Sequence, residues 1–146
     1  MKDKISIDRV NKLHPKARAA FKMFIDDAER ELNVTLRISQ GLRTIAEQNA
    51  LYAQGRTVKG SIVTNAKGGQ SYHNYGLAVD LVQLKDNTVN WSFDYSQLQP
   101  IAALYGIVWG GTFKSLIDKP HFELTYGYKP SELINITRDK YGYPLI

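Results

Sequence analysis

The feature that most restricts this chain is Leu77-Ala78-Val79-Asp80-Leu81-Val82, an apolar run with one carboxylate in its middle. It reads as a buried strand over Leu77 to Leu84. Side chains alternate across a strand, so Asp80 shares a face with Ala78 and Val82 and points away from Leu77, Val79 and Leu81. A carboxylate among so many apolar neighbours is costly unless it is paired or binds a metal. Just upstream, Ser71-Tyr72-His73-Asn74-Tyr75-Gly76 places an imidazole before a glycine turn. Taken singly, Asp80 reads most economically as a salt-bridged strand residue and His73 as a loop histidine. Taken together they are two candidate ligands delivered by one turn.

The remaining elements form an α+β frame, expected to be a small, mostly antiparallel sheet flanked by helices. From Pro15 to Leu32, apolar residues at three- and four-residue steps predict a helix with one buried stripe, ended by Asn33. Val34 to Ile38 alternates as a half-buried strand. Thr44, with Glu47 three residues on, opens a helix that stops near Gly55. Residues 54–70 are glycine-rich and polar and read as a long surface loop, a kind of segment that is often functional. A helix is expected over Ser96 to Tyr105 with Pro100 in its first turn. Val108-Trp109-Gly110-Gly111 reads as a turn-rich passage and His121 to Leu124 as a strand.

A chain of 146 residues is expected to be one domain, 1–146, with its core over about 10–126 and a tail, 127–146, of open role. It has no cysteine, so no disulfide braces it and a metal site must be built from imidazoles and carboxylates. The net charge of +5 favours polyanions, whether nucleic acid, anionic membrane or cell-wall polymer. The basic residues are scattered and no nucleic-acid motif is present, so neither nucleic-acid binding nor stable membrane insertion is expected. The first residues lack the apolar stretch of a secretory signal.

A second cluster, Asp118-Lys119-Pro120-His121-Phe122-Glu123, can complete a site. Pro120 disfavours helix at Lys119, so Asp118 and His121 lie on an extended segment. His121 is then a third candidate ligand, and Asp118 stands where a general base for an activated water belongs. Two imidazoles, one carboxylate and water match the open site of catalytic zinc, whereas structural zinc is closed by four protein ligands, usually including cysteine. By itself, Asp118-x-x-His121 reads first as a turn carboxylate and a partly exposed histidine. Trp91 and Trp109 read as core packing before sugar stacking, and His14, beside Pro15, has no expected metal role.

Ser71, His73, Gly76, Ala78 and Asp80, followed by Asp118 and His121, form a pattern that closely resembles the zinc D-Ala-D-Ala peptidase family. That family includes VanY-type carboxypeptidases, VanX-type dipeptidases and phage L-alanyl-D-glutamate endolysins. The resemblance runs from about Ser39 to Glu123, and Gly41-Leu42-Arg43-Thr44, Gln48 and Leu51 to Thr57 look like the endolysin branch. It implies a Hedgehog/D-Ala-D-Ala-peptidase-like fold and a Zn2+ ion held by His73, Asp80 and His121. Asp118 is implied as catalytic acid/base, at a position where many relatives carry Glu, and Arg43 as a substrate contact. Ser71 suits either a hydrogen bond to substrate or a turn cap.

The activity implied is hydrolysis of the L-Ala-D-Glu bond of the peptidoglycan stem peptide. The expected protein is a monomeric phage or prophage endolysin, made in the cytoplasm without a signal peptide and reaching the wall once the membrane is opened. A D-Ala-D-Ala carboxypeptidase or dipeptidase is the nearest alternative, and a non-catalytic wall-binding module is a different class.

Overall fold

β2 (Ala78–Lys85), the strand expected from the apolar run, is paired along both edges. A computed structural model describes residues 1–146. It places around β2 the strands β1 (Thr35–Gln40), β3 (Thr88–Asn90), β4 (Val108–Trp109) and β5 (His121–Glu123). All pairs are antiparallel, in the order β1-β2-β5-β4, with β3 on the C-terminal half of β2. One face of the sheet is apolar: Leu77, Val79, Leu81 and Phe122 are fully buried. They join Phe21, Phe24 and Ile25 of helix α2 (Arg18–Leu32) in one core, where the rings of Phe24 and Phe122 lie 5.2 Å apart. Burial of each such side chain contributes about 1.5–3 kcal/mol.

α2 starts at Arg18 rather than Pro15 because residues 14–17 form a tight turn, closed by the Ala17 amide donating to the His14 carbonyl at 2.8 Å. It ends, as expected, at Asn33, which adopts the left-handed conformation with φ 51°. Helix α3 (Ile45–Ala53) carries the Thr44–Glu47 capping box anticipated from sequence. The helix expected over 96–105 is divided: a 3-10 turn at Tyr95–Leu98, capped by Asp94, precedes a short α4 (Gln99–Ala103). Pro100 has no N–H to donate, so the α-helical bonding can begin only there. The Val108–Trp109 passage, expected as turn, is a short strand because β5 offers it a partner edge.

Helix α1 (Lys4–Val10) carried no sequence signal, since seven residues with only Ser6 and Val10 buried make no visible stripe. Tertiary bonds fix it instead: Asp3 accepts from the Ser6 amide at 3.1 Å and from Arg37 of β1 at 2.9 and 3.0 Å. The tail folds back on the body. Helix α5 (Pro130–Leu133) buries Leu133 completely, and the Tyr143 hydroxyl donates to the Lys12 carbonyl at 2.7 Å. His14 serves this closure. Its Nδ1 accepts from the Lys16 amide, so its Nε2 donates to the Pro144 carbonyl at 2.7 Å.

Candidate metal centre and cleft

The antiparallel register of β2 and β5 sets Asp80 directly opposite His121. Opposed side chains lie on the same sheet face, so the carboxylate and the imidazole meet on the face turned away from the core. On the other edge the β1–β2 register slips between Ile38 and Gln40, bringing Gln40 opposite Asp80. Such irregularities turn side chains toward functional sites. His73 arrives from a 3-10 turn, Tyr72–Tyr75, capped by Ser71, whose hydroxyl accepts from the His73 amide at 3.2 Å. The turn closes at Gly76, with φ 69°, where any Cβ would collide with the His14 backbone. The glycine of the motif is therefore required both by conformation and by space.

Proton positions show why three side chains converge. The Gly41 carbonyl stands 2.8 Å from His73 Nδ1 and can only accept, so Nδ1 carries the proton and the Nε2 lone pair faces Asp80 Oδ1 at 3.2 Å. His121 Nε2 donates to Glu123 Oε1 at 2.8 Å, which leaves Nδ1 facing the same Asp80 oxygen at 3.2 Å. Three donor atoms thus surround one point, all within 4.8 Å of one another. Ligands tetrahedrally placed about 2 Å from zinc lie about 3.3 Å apart, so both imidazole–carboxylate edges fit that ion. Lacking sulfur, the set suits a borderline or harder divalent cation.

The electrostatics agree that a cation is wanted. Burial disfavours charge on Asp80, yet the hydrogen bonds from His121 and His73 outweigh it and hold the carboxyl well below the usual carboxylate range. Burial likewise opposes charge on His121, but Asp80 and Glu123 hold its pKa up at about 9, so without an ion a proton sits on the nitrogen facing Asp80, the position a bound cation would take over. The pocket stabilises positive charge at its centre.

Asp118 stands beside this centre without belonging to the triad. Its segment is fastened to Gly110, whose carbonyl accepts from the Asp118 amide at 3.1 Å. A Cβ on Gly110 would strike the Asp118 carbonyl, and one on Gly111 would strike the Trp109 ring. Trp109 Nε1 in turn donates to the Lys119 carbonyl at 2.7 Å. The Trp109-Gly110-Gly111 sequence is thus the base on which Asp118 rests. Burial first, then the Asp80 charge, push the Asp118 carboxyl above its ordinary value against His121, His73 and Arg43.

Arg43, Ser71, Asp118 and the triad share a cleft of about 310 Å3. Arg43 donates to Gln48 Oε1 at 2.9 Å, and its Nε is a buried donor with no partner. Of the two sequence readings of Ser71, the turn cap is the one its hydroxyl makes.

Three contributors escaped the sequence reading. Gly41 acts through its backbone carbonyl, which no side-chain pattern reveals. Gln48, fully buried, donates to the Ala66 carbonyl at 2.8 Å and so ties Arg43 to the 54–70 loop. Glu123 left a faint signal: two residues beyond His121 on a strand, it had to share that residue's face.

Residues 64–124 match a family model described as D-alanyl-D-alanine carboxypeptidase. The chain is 45% identical over 98 residues to the peptidoglycan L-alanyl-D-glutamate endopeptidase CwlK of Bacillus subtilis (strain 168), covering 60% of this chain and 59% of that protein. It is 30% identical over 128 residues to the L-alanyl-D-glutamate peptidase of Listeria phage A118, covering 84% of this chain and 42% of the phage protein. The chain thus spans less than two thirds of either relative. The crystal structure of the Serratia marcescens L-Ala D-Glu endopeptidase ChiX superposes with a TM-score of 0.62 at 28% identity, covering 84% of this chain and 88% of that one.

Proposed function

Since this chain belongs to the VanY-like family of zinc D-Ala-D-Ala peptidases, we propose that it is a zinc endopeptidase hydrolysing the L-Ala-D-Glu bond of peptidoglycan stem peptides. One observation carries the reading: the lone pairs of His73 Nε2 and His121 Nδ1 converge on Asp80 Oδ1, with each imidazole's other nitrogen already committed. His73, Asp80 and His121 would hold the ion. Bound there, zinc supplies Lewis acidity, bringing the pKa of a water toward neutrality and polarising the scissile carbonyl.

The chain's own groups do the rest. Asp118 takes the proton of the attacking water and returns it to the departing amine. Arg43, with an unpartnered buried N–H, binds the free carboxylate of D-glutamate or the negative charge developing on the carbonyl oxygen. Gly41 and Glu123 keep the two imidazoles in the tautomers that point a lone pair inward. The kinship with the Listeria phage peptidase supports a lytic role at the wall of a bacterial host. No helix is long and apolar enough to cross a membrane.

The family description favours a second reading, a D-Ala-D-Ala carboxypeptidase. Mass spectrometry of muropeptides digested with and without chelator separates the two. Chelator-sensitive release of whole peptides beginning at D-Glu is expected; release of free alanine would establish the carboxypeptidase instead.

A further inference from the structure

The cleft does not stop at the triad. Past Asp118, across Val63 and Thr64, it continues into a hollow of about 520 Å3 walled by Ile62 and Val63 from one loop and by Leu116 and Ile117 from another. These four side chains are 58%, 56%, 70% and 63% exposed, respectively. Single exposed apolar residues are ordinary, but four converging from two loops on the rim of a cleft mark a binding surface. Both loops are anchored at their bases. Arg56 donates to the carbonyls of Tyr52 and Thr64 at 2.7 and 2.9 Å, and the 112–119 segment is closed by the Trp109–Lys119 and Gly110–Asp118 bonds. At the tip Leu116 is held at φ 52°, a left-handed conformation sparsely populated by bulky residues. Strained backbone of this kind concentrates at ligand-holding sites.

Charge orients the cleft. Asp118 is the sole charged residue lining the hollow, whereas Arg43 lines the cleft and not the hollow. A substrate split at L-Ala-D-Glu has two unlike halves. The D-glutamate half carries a free carboxylate that Asp118 would repel and Arg43 would pair. The L-alanine half offers a methyl group and no charge.

We propose that Ile62, Val63, Leu116 and Ile117 form the subsite for the acyl half of the substrate, with the D-glutamate half directed toward Arg43. This assignment rests on the endopeptidase reading above. Apolar contact there improves transition-state binding by about fourfold per methylene buried.

The test uses the full zinc-loaded chain on two peptides, acetyl-L-Ala-D-Glu-amide and its butyryl counterpart, which adds two methylenes. The wild type is expected to prefer the butyryl peptide by about fifteenfold in kcat/KM. Ile62→Ser with Leu116→Ser should reduce that ratio to near one, with zinc content unchanged. Leu116→Lys should raise kcat/KM for a succinyl peptide, whose extra carboxylate the wild type disfavours. A ratio within one variant is independent of how much of it folds, so misfolding cannot mimic the result. Cleavage at L-Ala-D-Glu with the butyryl preference intact in the serine variant, or no gain for the lysine variant, overturns the subsite alone. If the wild type cuts neither peptide nor the same bond in wall digests, the endopeptidase reading falls and the subsite with it.

Discussion

Glu123 Oε1 lies 2.8 Å from His121 Nε2, two residues along one strand and on one face of the sheet. The contact places a proton on Nε2 of His121 and therefore leaves Nδ1, which faces Asp80, as the nitrogen that would meet a metal ion. Orienting carboxylates of this kind raise ligand basicity, and their loss costs about 10–100-fold in metal affinity. Glu123→Ala is expected to weaken zinc binding by that factor in competition with a chromogenic chelator. Unchanged affinity would reduce Glu123 to a packing role.

Asp118 lies outside the triad, so its removal should separate metal binding from turnover. Asp118→Ala is expected to retain one zinc per chain and to lose about 10²–10⁴-fold in kcat, the usual share of a general acid/base. Loss of zinc together with modest residual hydrolysis would place Asp118 among the ligands instead.

Gly110 gives a test of positioning rather than chemistry. A methyl group there would strike the Asp118 carbonyl and come within 3.0 Å of the His121 Cβ. Gly110→Ala should therefore shift the base by a fraction of an ångström to an ångström and lower kcat by about 10²-fold. Wild-type kcat in this variant would show that the Gly110–Asp118 contact does not set the base.

Asp3 governs stability at acid pH. The Arg37 hydrogen bond is the largest influence on its carboxyl and, helped by Ser6 and opposed by burial, holds the pKa below the ordinary value. A depressed carboxylate pKa contributes stability above the unfolded value, near 3.8, and that contribution is lost as pH falls through the folded value. Asp3→Asn keeps a capping oxygen but not the charge, so its melting temperature should lie below wild type at pH 7. The two curves should begin to approach each other below about pH 4 and meet once the pH passes below the folded value. A deficit that does not shrink between pH 7 and pH 2 would mean that charge is not what Asp3 contributes.

The local sequence determined more of this protein than its length suggests. The period of α2, the Thr44–Glu47 capping box, the buried strand carrying Asp80 and the donor set His73, Asp80 and His121 were all legible, because each depends on residue spacing along the chain or on the cost of burying a charge. The site itself was legible as candidates and not as a site. Sequence offers His73, Asp80, Asp118 and His121 as separate polar residues, each with an ordinary alternative.

Tertiary structure alone decided the rest. The β2–β5 register sets Asp80 opposite His121, and a slip of one residue would have sent one of them into the core. Backbone carbonyls such as Gly41, whose partners lie far along the chain, have no signature in residue type. Short elements such as α1 and β4 bury too little to show a period and exist because Arg37 or the edge of β5 meets their unsatisfied groups. Residue chemistry along the chain named the candidate ligands, and pairing across the sheet brought them together, because coordination depends on distances between atoms that the chain holds far apart.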